Sequence, residues 1–124
     1  MPMVVLIDGK TANGAEILVA SLGDNKRAVL VGETTAGLVE LQTLFPLGGG
    51  SFLRMRTALV SRPNGKRIDE HGIAPDREVV LTEEERTSIY RQMETAIDGY
   101  LGNDANDRQI RKAVGILAGT DRSK

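Results

Sequence analysis

Met3-Val4-Val5-Leu6-Ile7-Asp8-Gly9, followed by Thr11-Ala12-Asn13-Gly14-Ala15-Glu16-Ile17 and then by Ala28-Val29-Leu30-Val31-Gly32, is the stretch that decides the fold. Residues 3–7 are continuously apolar and rich in β-branched side chains, and Asp8-Gly9 bounds them. Such a run fits a strand covered on both faces, as in a parallel sheet. Ala15, Leu18, Val19 and Leu22 fall at i, i+3, i+4 and i+7, one stripe of a helix. Asn13 is placed to cap that helix and Gly23 to end it. Residues 28–31 give a second apolar strand, closed by Gly32. Strand, helix and strand in this short space predict a right-handed βαβ unit.

Further along, residues 42–45 predict a short strand and Gly48-Gly49-Gly50 a hairpin turn. From Ser51 the pattern alternates, with Leu53, Met55 and Thr57 on one face and Phe52, Arg54 and Arg56 on the other. That predicts a half-exposed strand with the Arg stems lying along the surface. Arg62-Pro63-Asn64-Gly65-Lys66 predicts a turn, Ile73-Ala74-Pro75-Asp76 a rigid connection, and residues 78–81 a last short strand. Thr82 with Glu85 has the signature of a capping box. It opens a helix whose apolar stripe is Ile89, Met93, Ile97 and Tyr100 or Leu101, broken by Gly102-Asn103. Asn106 with Gln109 is placed to cap a final helix carrying Ile110, Ala113, Val114 and Leu117 and ended by Gly119, with residues 120–124 frayed. The fold class expected is α/β: one unit over residues 1–81, then a helical tail over 82–124 packed on it or on a partner.

Composition excludes several functions. With 40% hydrophobic and 27% charged residues the chain is globular in type, and with two Tyr, two Phe and no Trp its core must be aliphatic. So few aromatics leave no platform for stacked bases, and a net charge of −1 gives no pull toward nucleic acid. The absence of Cys excludes thiolate metal sites and a cysteine nucleophile, and the single His71 excludes a multi-histidine centre. No metal or other cofactor is expected. No apolar run approaches a membrane span, and there is no signal peptide in the chain as written. A sequence that enters a buried-looking strand directly after Met1-Pro2 is expected of one that opens inside a domain.

Residues 4–9 and 11–17 resemble the nucleophile segment of the C-terminal processing peptidases, or tail-specific proteases. The resemblance continues through residues 24–32, Thr34-Thr35, Gly37, Gln42, residues 50–58, Pro63-Asn64-Gly65-Lys66-Arg67-Ile68 and Gly72-Ile73-Ala74-Pro75-Asp76, in uninterrupted register over about residues 2–80. It implies a crotonase/ClpP-like arrangement of stacked ββα units, of which this chain would be the second half. The family consists of serine peptidases with a Ser nucleophile and a Lys general base, a Gln nearby, and usually export to the periplasm or a lumen. The family's Thr-Ala-Ser-x-Ser/Ala-Glu pattern puts the nucleophile position on Asn13. Its Thr-Phe-Gly-Lys pattern falls on Thr35-Ala36-Gly37-Leu38 and puts the base position on Leu38. The third position is Gln42, which is retained. The backbone N–H of Gly14 would be an oxyanion donor, and the second donor lies upstream of residue 1. An Asn amide is not an acyl-transfer nucleophile and Leu has no proton site, so the resemblance implies a scaffold without its catalytic dyad. Leu38 is expected to fill the space of the missing amine.

Other features carry weaker readings. Thr11, Thr34 and Thr35 with Lys10 and Lys26 could form a relocated Thr–Lys pair, against the simpler reading of turn-forming Thr and solvated Lys. Gly48-Gly49-Gly50 lacks the Lys-Ser/Thr of a phosphate loop. His71 reads as an exposed loop side chain, and Glu83-Glu84-Glu85 as acids favoured in a first helical turn. Arg54 and Arg56, with Arg62, Lys66 and Arg67, form a basic surface suited to a peptide carboxylate or an acidic partner. Two functions compete. One is an inactive relative that binds peptide or protein and forms homo-oligomers through an exposed sheet edge. The other is an active serine-type peptidase with relocated groups or with an upstream half supplied elsewhere.

Overall fold

A computed structural model describes residues 1–68, 71–95 and 107–120. Strand β1 (Val4–Ile7), helix α1 (Gly14–Asp24) and strand β2 (Val29–Gly32) come first. β1 pairs in parallel with β2, from Val4↔Val29 to Ile7↔Gly32, so the βαβ unit forms as its apolar runs predict. After the hairpin of β3 (Leu41–Gly48) and β4 (Ser51–Ala58), β5 (Arg77–Glu78) joins the far side of β2. The sheet order is β1-β2-β5, with β3-β4 as a separate antiparallel pair. Helices α2 (Glu83–Thr95) and α3 (Arg108–Leu117) complete an α/β fold.

Side chains alternate across a strand, so Val5, Ile7 and Leu30 share one sheet face. There they pack with Val19 and Ala20 of α1 and with Val39, Val60, Ile68 and Ile73 from the long β2–β5 crossover. α3 lies against β1 and β2, with Ile116 and Leu117 lining a hollow beside Val4 and Val29. The sheet is thus covered on both faces, although Leu6 remains 41% exposed.

Gly32 closes β2 because nothing larger fits. Its φ is 130°, and a Cβ there would lie 2.0 Å from the Ile7 carbonyl oxygen. Beyond it, Val79 N–H donates to the Gly32 carbonyl. Upstream of β5, Asp76 works on both sides of Leu30: its backbone N–H donates to Leu30 O, and its carboxylate accepts Leu30 N–H at 2.8 Å.

Several boundaries differ from the sequence reading. α1 buries Glu16, Val19 and Ala20, while Ala15 is exposed and Leu18 is 60% exposed. The stripe is rotated by one residue because a carboxylate, invisible to a hydrophobic count, points inward. Gly23 does not end α1; Asn25 is the C-cap and Lys26 takes the positive φ of 53°. Gly23 is instead a contact site, where a Cβ would stand 2.9 Å from Leu30 Cδ1. The strand expected over 42–45 extends to Leu41–Gly48, and β4 is exposed on both faces rather than one. The last strand begins at Arg77 and ends at Glu78, not over 78–81.

In α3 the buried residues are Gln109 and Ala113, while Val114 and Leu117 stay about half exposed. Gln109 is held inward by its side-chain amide, which donates to the Val79 carbonyl at 2.9 Å. The α3 N-cap is Asp107, whose carboxylate accepts from Gln109 and Ile110 N–H; Asn106, Ile97, Tyr100, Leu101, Gly102 and Asn103 lie outside the described residues. The remaining local signals form as read. All three glycines of the hairpin turn have positive φ. The 62–66 turn closes with Arg62 N–H on Lys66 O and Gly65 N–H on Arg62 O. In the capping box Thr82 N–H donates to Glu85 and Glu85 N–H to Thr82 Oγ1, and Gly119 follows the α3 C-cap at φ 69°.

Arg62 is not part of a free basic surface. It forms a two-pronged ion pair with Asp24 at 2.5 and 3.2 Å, tying the turn to the end of α1. The Arg62 hydrogen bond holds the Asp24 carboxyl below its ordinary value of 3.8. A lowered folded-state value means that the pair's stabilisation is complete above that ordinary value and is lost as pH falls through the lowered one. In urea titrations, Asp24→Asn is expected to cost about 2 kcal/mol at neutral pH, a deficit that shrinks below pH 3.8. Gly32→Ala is expected to cost about 3 kcal/mol or more, because backbone rather than a movable side chain blocks the new methyl.

Candidate functional site

The junction between β1 and α1 is a tight turn built by Asp8. One carboxylate oxygen accepts Thr11 N–H at 2.9 Å, Lys10 N–H at 3.1 Å and the Thr11 hydroxyl at 3.0 Å. Beyond this turn two backbone bonds lay the loop after β2 alongside: Ala36 N–H donates to Thr11 O, and Asn13 N–H donates to Leu38 O at 2.9 Å. The loop is also held from beneath. Glu16, fully buried on α1, accepts the Thr35 hydroxyl, Gly37 N–H at 2.7 Å and Leu38 N–H at 2.9 Å. Thr35 Oγ1 in turn accepts Ile73 N–H at 2.8 Å, and Thr35 N–H donates to Ile73 O. Gly72 keeps this contact close, since a Cβ there would meet Thr35 O at 2.2 Å.

Asn13 sits at the apex of the strand–turn–helix elbow with φ 53° and ψ −127°. A positive φ is rare outside glycine and is retained only where surroundings impose it. Asn13 occupies the N-cap position, yet its side chain makes no capping hydrogen bond, against the capping role expected of it. Its carbonyl accepts Glu16 and Ile17 N–H. Leu38 does not fill a pocket; its side chain is 60% exposed. Asn13 and Leu38 are therefore brought together through their backbones, with both side chains toward solvent. Gln42 is not drawn into this pair: it stands on β3 with its amide on Glu40.

Among the described residues neither Thr11 nor Thr35 has a lysine partner. Thr11 is bound to Asp8 and Thr35 to Glu16. Lys10 is not merely solvated, for its ammonium donates to the Tyr90 hydroxyl at 2.8 Å and stands 4.3 Å from the ring centre. Arg56 is paired with Glu40 at 2.6 Å, so the Arg54 and Arg56 surface is partly neutralised. The same ion pair holds the Glu40 carboxyl below its ordinary range. Glu33 anchors α2: it accepts Arg86 at 2.9 Å and Leu81 N–H at 3.2 Å, and its charge raises the Arg86 value. His71 is exposed. Among the described residues no group of acids and histidines is arranged to hold a metal.

Sequence reasoning missed Glu16 as an organiser of the site. The available signal was its place as the closing Glu of the resemblance pattern, not its position on the apolar stripe.

A parallel sheet that presents a strained residue at a strand-to-helix elbow is an architecture by which hydrolases expose a nucleophile. The profile of peptidase family S41 matches residues 1–79, and the chain belongs to that family. It is similar to the carboxy-terminal-processing protease of Bartonella bacilliformis, with 41% identity over 75 residues, covering 60% of this chain and 17% of that protein. It is also similar to carboxy-terminal processing protease CtpA of Bacillus subtilis, with 30% identity over 115 residues, covering 92% of this chain and 25% of that one. Among solved structures, the photosystem II D1 C-terminal processing protease superposes with a TM-score of 0.66 at 31% identity, over 88% of this chain and 27% of that one. The chain spans less than a fifth of the length of the first relatives it matches, 17% and 15%.

Glu16→Gln keeps the shape but turns an amide donor toward donors already aimed at the carboxylate. It is expected to cost about 2–3 kcal/mol. Thermal unfolding gives the loss, and amide exchange at Gly37 and Leu38 should rise with it.

Proposed function

We infer that this chain is a catalytically inactive relative of the tail-specific serine peptidases that acts by binding peptide or protein segments and by associating with itself. The observation that carries this reading is the pairing of Asn13 N–H with Leu38 O. It supports the register in which these are the nucleophile and base positions, and neither side chain can accept or deliver the proton that acyl transfer needs. Loss of one positioned group already removes orders of magnitude in rate. The Gly14 N–H, with no partner among the described residues, is the remaining part of such a site.

In fold terms the reading is half of a crotonase/ClpP-like domain over residues 1–81 with a helical tail over 82–124. The parallel β1-β2-β5 sheet and the Glu33–Arg86 clasp between the two parts support it. Binding would use strand edges. The hairpin exposes Leu44, Phe45, Leu47, Phe52, Leu53 and Met55, and β1 is an edge strand of its sheet. Edges of this kind recruit an added strand. The alternative of an active enzyme with relocated groups finds no support in Thr11 or Thr35, whose hydroxyls are engaged by carboxylates.

Three measurements test this. A serine-reactive fluorophosphonate should leave the protein unlabelled, and Asn13→Ser with Leu38→Lys should not produce turnover. A single labelled Ser or Thr whose mutation abolishes labelling would sink the inactive reading. Light scattering should give a mass that is a multiple of 13.4 kDa, reduced by Phe52→Lys on the hairpin. A monomer at every concentration would remove self-association.

A further inference from the structure

We propose that Asn13-Gly14 is a built-in deamidation site, where the Gly14 nitrogen closes on the Asn13 side chain and water reopens the ring to aspartate or isoaspartate. Nothing in this proposal depends on the binding function above.

Ring closure requires the Gly14 nitrogen and Asn13 Cβ to lie on the same side of the Cα–C bond. Substituents on a tetrahedral Cα are rotated by about 120° from one another, so the ψ of −127° at Asn13 brings the next nitrogen almost into eclipse with Cβ. Most asparagines must leave a favoured backbone region to reach that geometry; here the fold imposes it, through Asn13 N–H on Leu38 O and the start of α1. The reacting groups are also unengaged. The Asn13 side chain makes no capping bond, and Gly14 N–H has no partner among the described residues. A glycine has no Cβ to obstruct the approach, and the space where a Cβ would sit at Gly14 is open within 4 Å. Both residues are exposed, so water and hydroxide reach them.

Electrostatics acts in the same direction. The peptide to be deprotonated is the one between Asn13 and Gly14. Its carbonyl accepts Glu16 N–H at 3.0 Å and Ile17 N–H at 3.3 Å, donors that stabilise negative charge spreading onto that oxygen. The partial positive charge of the helix N-terminus adds to this. The Gly14 nitrogen then bonds to Asn13 Cγ, the Cγ–Nδ2 bond breaks, and ammonia leaves with the proton that Gly14 gave up. Water opens the resulting succinimide at Cγ to give aspartate, or at the main-chain carbonyl to give isoaspartate. The product carries a carboxylate at the mouth of α1, and the formal net charge goes from −1 to one unit more negative.

The chain holds its own control in Asn64-Gly65, the same dipeptide. There the Asn64 side-chain oxygen accepts Lys66 N–H at 2.9 Å, and the would-be nucleophile, Gly65 N–H, donates to Arg62 O. The full chain, native and in concentrated urea, is incubated in mildly alkaline heavy-oxygen water and then peptide-mapped for the mass gain of an amide replaced by a hydroxyl that carries heavy oxygen, and for isoaspartate. In the native protein Asn13 should deamidate about tenfold faster than Asn64 or more, as expected where the strain is already supplied by the fold. Its native rate should equal or exceed its own rate in urea. Asn13→Gln, whose ring would be larger, should abolish the gain at that peptide. A native ratio of Asn13 to Asn64 under threefold, or an Asn13 rate slower in the native chain than in urea, overturns the proposal.

Discussion

One buried carboxylate fixes the arrangement of the upper face of this molecule. Glu16 is fully enclosed, and its oxygens receive a hydroxyl and two backbone N–H groups from a single short loop. A buried acid is tolerated only when its oxygens are met by donors, and these donors come from one side. The requirement rotates α1 so that residue 16 faces inward, draws residues 35–38 over the helix start, and leaves Leu38 O where Asn13 N–H meets it. Through Thr35 the same group reaches Ile73, and with it the segment that enters β5. Helix start, loop and third strand are thus coupled through one side chain.

This explains why parts of the chain could be read from sequence and parts could not. Features set by neighbours along the chain were legible: the two apolar strands, the 62–66 turn, the glycine hairpin and the Thr82–Glu85 box all depend on a few adjacent residues. The family was legible for a similar reason, since its motifs fall in one uninterrupted register. The helix faces were not. A hydrophobic count assigns Leu18 inward and Glu16 outward, whereas long-range partners decide the reverse. Gln109 in α3 misleads the count in the same way, because its amide serves the carbonyl of Val79. At the candidate site, the sequence did not reveal that Asn13 and Leu38 meet through their backbones with their side chains exposed. Capping propensity describes an Asn with ordinary dihedrals, and Asn13 has a φ that takes its side chain out of that role.

The elbow is a strained geometry held in place by its surroundings. The turn of Asp8 and the Glu16 cluster both serve to hold a residue in a costly conformation. Such strain is ordinarily found where a reacting group must be presented. Here it holds an amide, and the same backbone would hold any side chain.

The hairpin has a different standing. β3 and β4 make their element contacts with one another, while the other strands and α1 share the sheet and its core. A two-stranded ribbon without a packed face is marginal in water, so its opening need not wait for the rest of the protein to unfold. The molecule then has two thermal lives. The sheet with α1 and α3 is expected to melt as a unit, and the ribbon to breathe on its own account. What the ribbon meets while open becomes a question of encounter and timing rather than of shape.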